Sequence, residues 1–216
     1  MANLVKKRQA GYTLIELVAV CAILLIVSTI AIIAFQRVID AYKMSAAGHS
    51  VASLILQCRI QAVRSNLPAY VRYDNSKTPN MVYVTNDPSN LYVAGIPDVE
   101  INPGLSMQPG SPPNHEQLDS YLGIDSSNPV SPVLQTVNYI GFNARGLPCV
   151  LGAGGTLQCI QQDSGNRIPV FEWFIQGPRS SWEAITVTAA GRVKSWRLTT
   201  NNSSASTACG FNACWQ

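Results

Sequence analysis

Charged residues are scarce in this sequence of 216 residues. They make up 12 % of the chain, whereas apolar residues make up 47 %, so the charged share is about half that of an ordinary soluble domain. This balance argues against an intrinsically disordered chain, which needs low hydrophobicity and high charge. A net charge of +3 also argues against a strongly basic protein that packages nucleic acid.

Sequence signatures of catalysis are also missing. The chain contains no phosphate-binding glycine loop, no GxSxG and no HExxH. It has two histidines, His49 and His115, and neither lies within a motif that would make it the base for a serine or cysteine nucleophile. We therefore expect no enzymatic activity, no cofactor and no metal site.

Only one stretch is long and apolar enough to cross a bilayer, which excludes a polytopic membrane protein. Residues 17–36 contain no charged residue, and twenty helical residues span about 30 Å, the thickness of one hydrocarbon core. Residues 1–11 carry Lys6, Lys7 and Arg8 and no acid. This distribution predicts that the N-terminus stays in the cytoplasm.

Two ordinary interpretations of this N-terminus are an uncleaved signal anchor and a cleaved secretory signal. The secretory signal fits less well, because the small residue Gly11 precedes the apolar run instead of following it. Neither interpretation accounts for Glu16, which lies inside otherwise apolar sequence. A carboxylate at that depth is costly in lipid unless it finds a partner, which makes Glu16 a functional candidate.

The basic residues and the segment Gly11-Tyr12-Thr13-Leu14-Ile15-Glu16-Leu17 resemble the class III signal of type IV pilins and type II secretion pseudopilins. The resemblance implies that prepilin peptidase cleaves between Gly11 and Tyr12 and methylates the new N-terminus. It also implies that Glu16 pairs with the N-terminal amine of a neighbouring subunit. Cleavage would remove the three cations that make the chain basic.

The chain departs from the family pattern in two ways. Tyr12 occupies the position that usually holds phenylalanine, which implies a change in processing speed. The proline common in major pilins is missing, and Ile32 and Ile33 stand in that region. An unbroken helix is more typical of pseudopilins and minor pilins.

The helix is predicted to continue beyond the apolar run to residue 67. Its second half, 37–67, carries an apolar stripe with helical spacing, made of Val51, Leu54, Ile55, Cys58 and Ala62. Asn66 and Pro68 are plausible terminators. Gly48 lies within this half and costs about 1 kcal/mol relative to alanine, so it is a candidate soft point.

The remainder of the chain, 68–216, has the alternating pattern of strands. Strands are predicted at 69–74, 80–85, 136–142, 169–175, 184–189 and 192–198. An insert rich in proline, asparagine and serine, 86–133, is expected to be a surface excursion. Acids dominate residues 74–125, whereas cations dominate the last fifty residues, a layout that suits head-to-tail neighbours in a filament.

Two segments in this region, 138–146 (NYIGFNARG) and 185–193 (ITVTAAGRV), are similar to a strand-and-turn and a closing hairpin of the GspH/FimT class of minor pilins and pseudopilins. The resemblance implies an α+β type IV pilin fold, in which a long N-terminal helix packs on a small antiparallel β-sheet domain.

Six cysteines divide into two groups. Cys21 and Cys58 lie in the helix, where they act as small hydrophobes. The other four lie in the exported part, where disulfides form. Cys149–Cys159 and Cys209–Cys214 are the economical pairs, although other pairings remain open. Zinc is the rival interpretation, but the spacing does not fit it.

The segment after Gly191 is the candidate site for binding a polyanion. On a strand, Arg192, Lys194 and Trp196 share one face, with Arg197 nearby. Cations and an indole suit a phosphate backbone and base stacking. FimT-like minor pilins bind DNA through a Gly-Arg-x-Arg element, and here the second cation is lysine. A charged edge strand that prevents aggregation is the alternative interpretation.

The sequence therefore predicts a structural subunit in four parts: a leader at 1–11, a transmembrane half-helix at 12–36, an amphipathic half-helix at 37–67, and a head at 68–216 whose tail, 199–216, bears a disulfide. The expected partners are prepilin peptidase, other pilins or pseudopilins and the inner membrane, with the head in the periplasm. Double-stranded DNA is the further partner in the alternative, a FimT-like role in DNA uptake.

Overall fold

The structure, a computed structural model, describes most of the chain: residues 13–87, 97–109, 116–125, 127–128, 131–152, 156–160, 167–178, 181–198 and 215. The predicted cleavage site Gly11–Tyr12, His115 and the pair Cys209 and Cys214 lie outside the described residues. The chain divides into two compact units, Met1–Ala41 and Tyr42–Gln216.

Two helices and eleven strands occur in the described residues. The helices are α1 (Leu14–Ser65) and α2 (Glu116–Leu122). The strands, in chain order, are β1 (Ala69–Asp74), β2 (Asn80–Thr85), β3 (Asp98–Ile101), β4 (Ser106–Pro109), β5 (Val133–Gln135), β6 (Tyr139–Phe142), β7 (Pro148–Leu151), β8 (Leu157–Gln158), β9 (Pro169–Gln176), β10 (Trp182–Val187) and β11 (Val193–Arg197).

The first unit contains the apolar half of α1. Its large apolar side chains are exposed within the unit, including Leu14, Ile23, Leu25 and Ile30. By length and composition this helix could cross a membrane, with a mean hydropathy of 3.0 over its most apolar window.

The strands of the second unit form two sheets in the described residues, which together with α1 confirm the predicted α+β class. The first sheet has the order β3-β2-β1-β6-β7-β8, and all its neighbours are antiparallel. The second has the order β11-β10-β9-β4, also antiparallel. Strand β5 adds a parallel pairing to β9, where the sequence predicted only antiparallel neighbours.

The second half of α1 packs through the stripe that the sequence predicts. All five predicted stripe residues are buried, and they join residues of both sheets, such as Phe142 and Trp173, in one core. The helix ends at Ser65, because Asn66 adopts a left-handed conformation (φ 53°) and Pro68 follows. The predicted terminators are therefore confirmed.

A second, smaller cluster lies under α2. Its buried members are Leu118, Phe174, Ala184, Trp196 and Trp215. Strand β9 contributes Phe174 here and Trp173 to the main core, so both its faces are covered. This explains why its sequence is a nearly continuous apolar run instead of an alternating one.

The insert 86–133 differs from the expected surface excursion. It supplies β3 to one sheet, β4 to the other, and α2, and its side chains Ile101, Leu105, Met107 and Leu118 are buried. These elements have four to seven residues each. Elements this short carry too few periods to stand out among prolines and asparagines.

Gly48 has a packing role that the sequence did not reveal. A Cβ at this position would overlap the carboxylate of Glu183 on β10. The missing side chain therefore allows β10 to approach α1 closely, which offsets the low helix propensity of glycine.

Candidate functional site

Thr13 and Glu16 form the beginning of α1. The Thr13 amide donates to Glu16 Oε2 at 3.3 Å, and the Glu16 amide donates to Thr13 Oγ1 at 3.4 Å. This reciprocal pair is a capping box, for which the spacing Thr-x-x-Glu is the sequence signal. Both side chains are exposed, so the Glu16 carboxylate lies at the start of the apolar helix and is open to a cationic partner.

Trp196 does not lie where base stacking would need it. It is only 8 % exposed, and its Nε1 donates to Thr186 Oγ1 at 2.9 Å. Tyr121 of α2 packs edge-on against the indole with 4.8 Å between ring centroids, and Lys194 Nζ lies 3.3 Å from its centroid. The indole is therefore a core residue, because α2 folds over β11 and covers it.

The predicted cations near Trp196 occupy different places. Arg192 is exposed in the β10–β11 turn, just before β11 begins. Lys194 is exposed but lies over the indole. Arg197 pairs in register with Glu183, on the face of the strand opposite to Lys194. The structure therefore does not bring these four residues together on one face.

Arg59 of α1 joins two turns that are distant in sequence. Its Nε donates to the Gly146 carbonyl at 3.0 Å. Its Nη1 and Nη2 donate to the carbonyls of Gly191 and Ala190 at 2.8 and 3.2 Å. One guanidinium thus binds the β6–β7 turn and the β10–β11 turn, the two segments that resemble the GspH/FimT class. We call this arrangement the Arg59 clamp.

Glycine is required at position 191 for the clamp to form. Gly191 has φ +73°, and a Cβ there would lie 2.5 Å from the Gly146 carbonyl oxygen. Its amide closes the turn by donating to the Thr188 carbonyl at 2.7 Å. The two turns therefore touch backbone to backbone, and Arg145 and Arg192 flank the two glycines that meet there.

The disulfide Cys149–Cys159 is present, which confirms this predicted pair. It links β7 to the residue that follows β8, and Asn143 Nδ2 donates to Cys159 Sγ at 3.2 Å. Cys21 is free and exposed, and Cys58 is free and buried. Burial raises the pKa of the Cys58 thiol well above its usual range, consistent with a small hydrophobe.

Two carboxyl groups are buried in the second sheet. Glu172 of β9 is fully buried and neither of its oxygens has a hydrogen-bond partner. Burial, together with the charge of Asp119, raises the pKa of Glu172 to about 8. Burial raises the pKa of Glu183 to about 7, and Arg197 opposes this change. Ionisation of either carboxyl group therefore destabilises the folded head.

No group of three or more metal-ligating side chains occurs in the part of the chain that the structure describes. His49 is exposed, with Nδ1 3.5 Å from Ser195 Oγ. The described histidine thus contacts a hydroxyl of β11.

The N-terminal geometry agrees with a family-level match. Residues 6–32 match the model of the prokaryotic N-terminal methylation motif. That range contains the basic leader, Gly11, the capping box of Thr13 and Glu16, and most of the apolar helix. Residues 6–32 therefore carry a prokaryotic N-terminal methylation motif.

Solved structures similar to this chain come from two bacteria. The type IV minor pilin FimU of Pseudomonas aeruginosa aligns at 11 % identity and a TM-score of 0.43, over 72 % of this chain and 89 % of that one. The minor pseudopilin EpsH from the type 2 secretion system of Vibrio cholerae aligns at 10 % identity and a TM-score of 0.41, over 72 % and 97 %. No curated protein matches the chain.

The sequence analysis missed two residues of the second unit that the structure places at notable positions, Arg59 and Glu172. Arg59 follows Cys58 directly, at the border of the buried stripe, and this position was the signal that it reaches a partner instead of solvent. Glu172 lies within the apolar run PVFEWFI. A single acid in such a run is unusual, because a buried carboxylate is costly unless it finds a partner, as argued for Glu16.

Proposed function

We propose that this chain is a minor pilin or pseudopilin, a structural subunit of the tip or initiation complex of a type IV pilus or type II secretion pseudopilus. The observation that carries the proposal is the methylation motif at residues 6–32, placed at the head of an apolar helix long enough to span a membrane. Prepilin peptidase would cleave between Gly11 and Tyr12 and methylate the new amine.

Assembly would follow from the position of Glu16. Residues 12–36 would hold the processed chain in the inner membrane, with the head 68–216 in the periplasm. Glu16 is exposed at the start of α1, and a carboxylate in lipid is stabilised by a cation. The N-terminal amine of a neighbouring subunit is such a cation, so the pairing would draw the chain into the filament.

The intact mass of the chain from bacterial membranes tests this proposal. We expect a chain that lacks residues 1–11 and carries one added methyl group. A Glu16→Gln variant, matched in shape, should be processed in the same way but be absent from the sheared filament fraction, because the neutral amide does not pair with an amine. A mass that retains residues 1–11 would contradict the proposal and indicate a signal anchor.

We propose DNA binding during DNA uptake as the second candidate function. The observation that favours it is the exposure of Arg192 and Arg145 on two turns held together by the Arg59 clamp. Lys194 and Arg197 are also exposed and could contact phosphates. Trp196 takes no part, since its indole is buried.

A gel-shift titration against duplex DNA at low and physiological salt tests the second candidate. We expect binding that weakens with salt, and a salt slope that falls by about one unit for each phosphate that the protein no longer binds. The Arg192→Ala/Lys194→Ala variant should bind less, and Trp196→Phe, which keeps the core apolar, should bind as the wild type does. Absence of binding at low salt would leave only the structural role.

A further inference from the structure

Two rows of side chains cross the second sheet on the face that α2 covers. The first row is apolar and belongs to the small cluster under α2; its members, in register on β9, β10 and β11, are Phe174, Ala184 and Trp196. The second row consists of Glu172, Thr186 and Lys194, in register on the same strands. Residues two apart on a strand share a face, so both rows lie on the α2 side. An acid and a base thus lie on one face with a single threonine between them.

The acid of the second row is buried without a partner. Glu172 is fully buried, and neither of its carboxyl oxygens has a hydrogen-bond partner. The charge that acts on it is that of Asp119 on α2, which has the same sign as an ionised Glu172. A buried carboxylate without a counter-charge strongly destabilises a folded protein. Once it ionises, Glu172 therefore needs a cation.

The base of the second row is held by aromatic rings instead. Lys194 Nζ lies 3.3 Å from the ring centroid of Trp196 and 5.3 Å from that of Tyr121. The loss of one cation–ring contact costs less than an unpaired carboxylate in the interior. Lys194 is exposed and has a flexible four-carbon stem, so its ammonium can turn away from the rings while the backbone stays in place.

The spacing of the strands brings the acid and the base within reach of each other. Neighbouring strands lie about 4.8 Å apart, so the Cα atoms of Glu172 and Lys194 are separated by about 10 Å. Two long side chains on the same face of a sheet can bridge that distance. Thr186 between them is small, and its Oγ1 accepts a hydrogen bond from Trp196 Nε1 at 2.9 Å.

The described residues around Glu172 offer one cation for this pairing. Helix α2 contributes Asp119 and Tyr121, and β4 and β5 contain no titratable residue. Glu183 of β10 and Arg197 of β11 lie on the opposite face of the sheet, since they are in register with each other and Glu183 adjoins α1. Lys194 is therefore the cation that this face supplies.

We propose that Lys194 has two positions, one over the Trp196 indole and one beside the Glu172 carboxylate. It occupies the first while Glu172 is protonated, and it moves to the second when Glu172 releases its proton to solvent. Because burial raises the pKa of Glu172 from 4.5 to about 8, the first position prevails below about pH 8 and the second above it. The exchange withdraws a cation from the surface formed by α2 and β11. The inference does not depend on the proposed function.

NMR of the full chain in detergent, with lysine labelled at Cε, tests the exchange. The chain has few lysines, which are Lys6, Lys7, Lys43, Lys77 and Lys194. The signal that disappears in Lys194→Arg identifies residue 194. At pH 6 its methylene protons should be shifted upfield by the ring current of Trp196. As the pH rises to 9, at least half of this shift should be lost, because the ammonium leaves the indole.

Glu172→Gln is the decisive variant, because an amide does not ionise in this range. Its Lys194 signal should keep the upfield shift at pH 9, whereas Glu100→Gln, which replaces an exposed acid on β3, should behave as the wild type does. A Lys194 signal that stays in place in the wild type, or moves equally in Glu172→Gln, would overturn the proposal.

Asp119→Asn separates the two acids that lie near this face. It removes a like charge from Glu172, so the Lys194 signal should still move, but at a lower pH. If Asp119→Asn abolished the movement and Glu172→Gln did not, Asp119 would be the partner of Lys194 and the proposal would be wrong.

The reciprocal effect on Glu172 is measured with glutamate labelled at the carboxyl carbon. Lys194→Met should raise the pKa of Glu172 by about one unit or more, a tenfold change in its acid constant, because the carboxylate then lacks a cation. Arg192→Met, which removes an exposed cation from the turn before β11, is the matched control and should leave this pKa unchanged. An unchanged pKa of Glu172 in Lys194→Met would refute the exchange.

Discussion

Replacement of Glu172 by glutamine is expected to stabilise the head on the order of 3 kcal/mol at pH 7. The wild-type carboxyl is fully buried without a hydrogen-bond partner, and its pKa is raised from 4.5 to about 8. Because the pKa is higher in the folded state, the contribution of the Glu172 carboxyl to the free energy of unfolding is complete below pH 4.5. This contribution is lost as the pH rises through about 8. The gain from glutamine should therefore vanish at pH 4.

Tryptophan fluorescence during urea unfolding measures this effect in the full chain in detergent. All four tryptophans, Trp173, Trp182, Trp196 and Trp215, lie in the second unit, so the signal reports on the head. Glu100→Gln, an exposed acid on β3, is the matched control and should change nothing. A free energy of unfolding of the wild type that does not change between pH 4.5 and 8 would contradict the prediction. Ionisation of Glu183 should add a smaller decrease in the same quantity up to about pH 7.

Removal of the Arg59 clamp is expected to have the second large effect on the stability of the head. Arg59→Ala should lower the free energy of unfolding by about 2–4 kcal/mol, because three backbone carbonyls lose a charged donor and part of a half-buried side chain is removed. The affected acceptors are Gly146, Ala190 and Gly191. The same urea titration measures the decrease, and amide exchange of the two turns should increase.

Two variants separate the clamp from a general effect of charge. Arg59→Lys keeps the charge but lacks the planar fork that reaches both turns, so its destabilisation should be intermediate. Arg64→Ala removes an exposed cation from the same helix and should stay within about 0.5 kcal/mol of the wild type. Equal destabilisation in Arg59→Lys and Arg64→Ala would show that the clamp contributes nothing beyond charge.

The helix and the main strands were predictable because their signals are local. The apolar run and the stripe from Val51 to Ala62 repeat with the period of a helix, and the first two strands appear at their predicted bounds, Ala69–Asp74 and Asn80–Thr85. The elements of the insert were not predictable. Strand β4 and helix α2 have four and seven residues, and their burial depends on sheets built from distant sequence.

The predicted polyanion-binding segment after Gly191 shows that single residues, too, can be placed by the sequence only as far as local signals reach. Alternation along β11 correctly placed Lys194 and Trp196 on one face, since side chains on a strand alternate. It could not show that α2 would cover that face, which turned Trp196 into a core residue with Tyr121 against it. The same alternation predicted that Arg192 belongs to the strand. In the structure Arg192 lies in the turn that Gly191 closes, one residue before β11 begins.

By itself, the sequence determined the N-terminal motif, the apolar helix with Glu16 at its head and the buried stripe, and it favoured the Cys149–Cys159 pair that the structure contains. Each of these depends on neighbours within a few residues, or on a short loop between two cysteines. Only the tertiary structure decided the Arg59 clamp, which joins residues 87 and 132 positions apart, and the burial of Glu172 and Trp196. Such contacts depend on which distant surfaces meet when the sheets close around α1, and no local period encodes that choice.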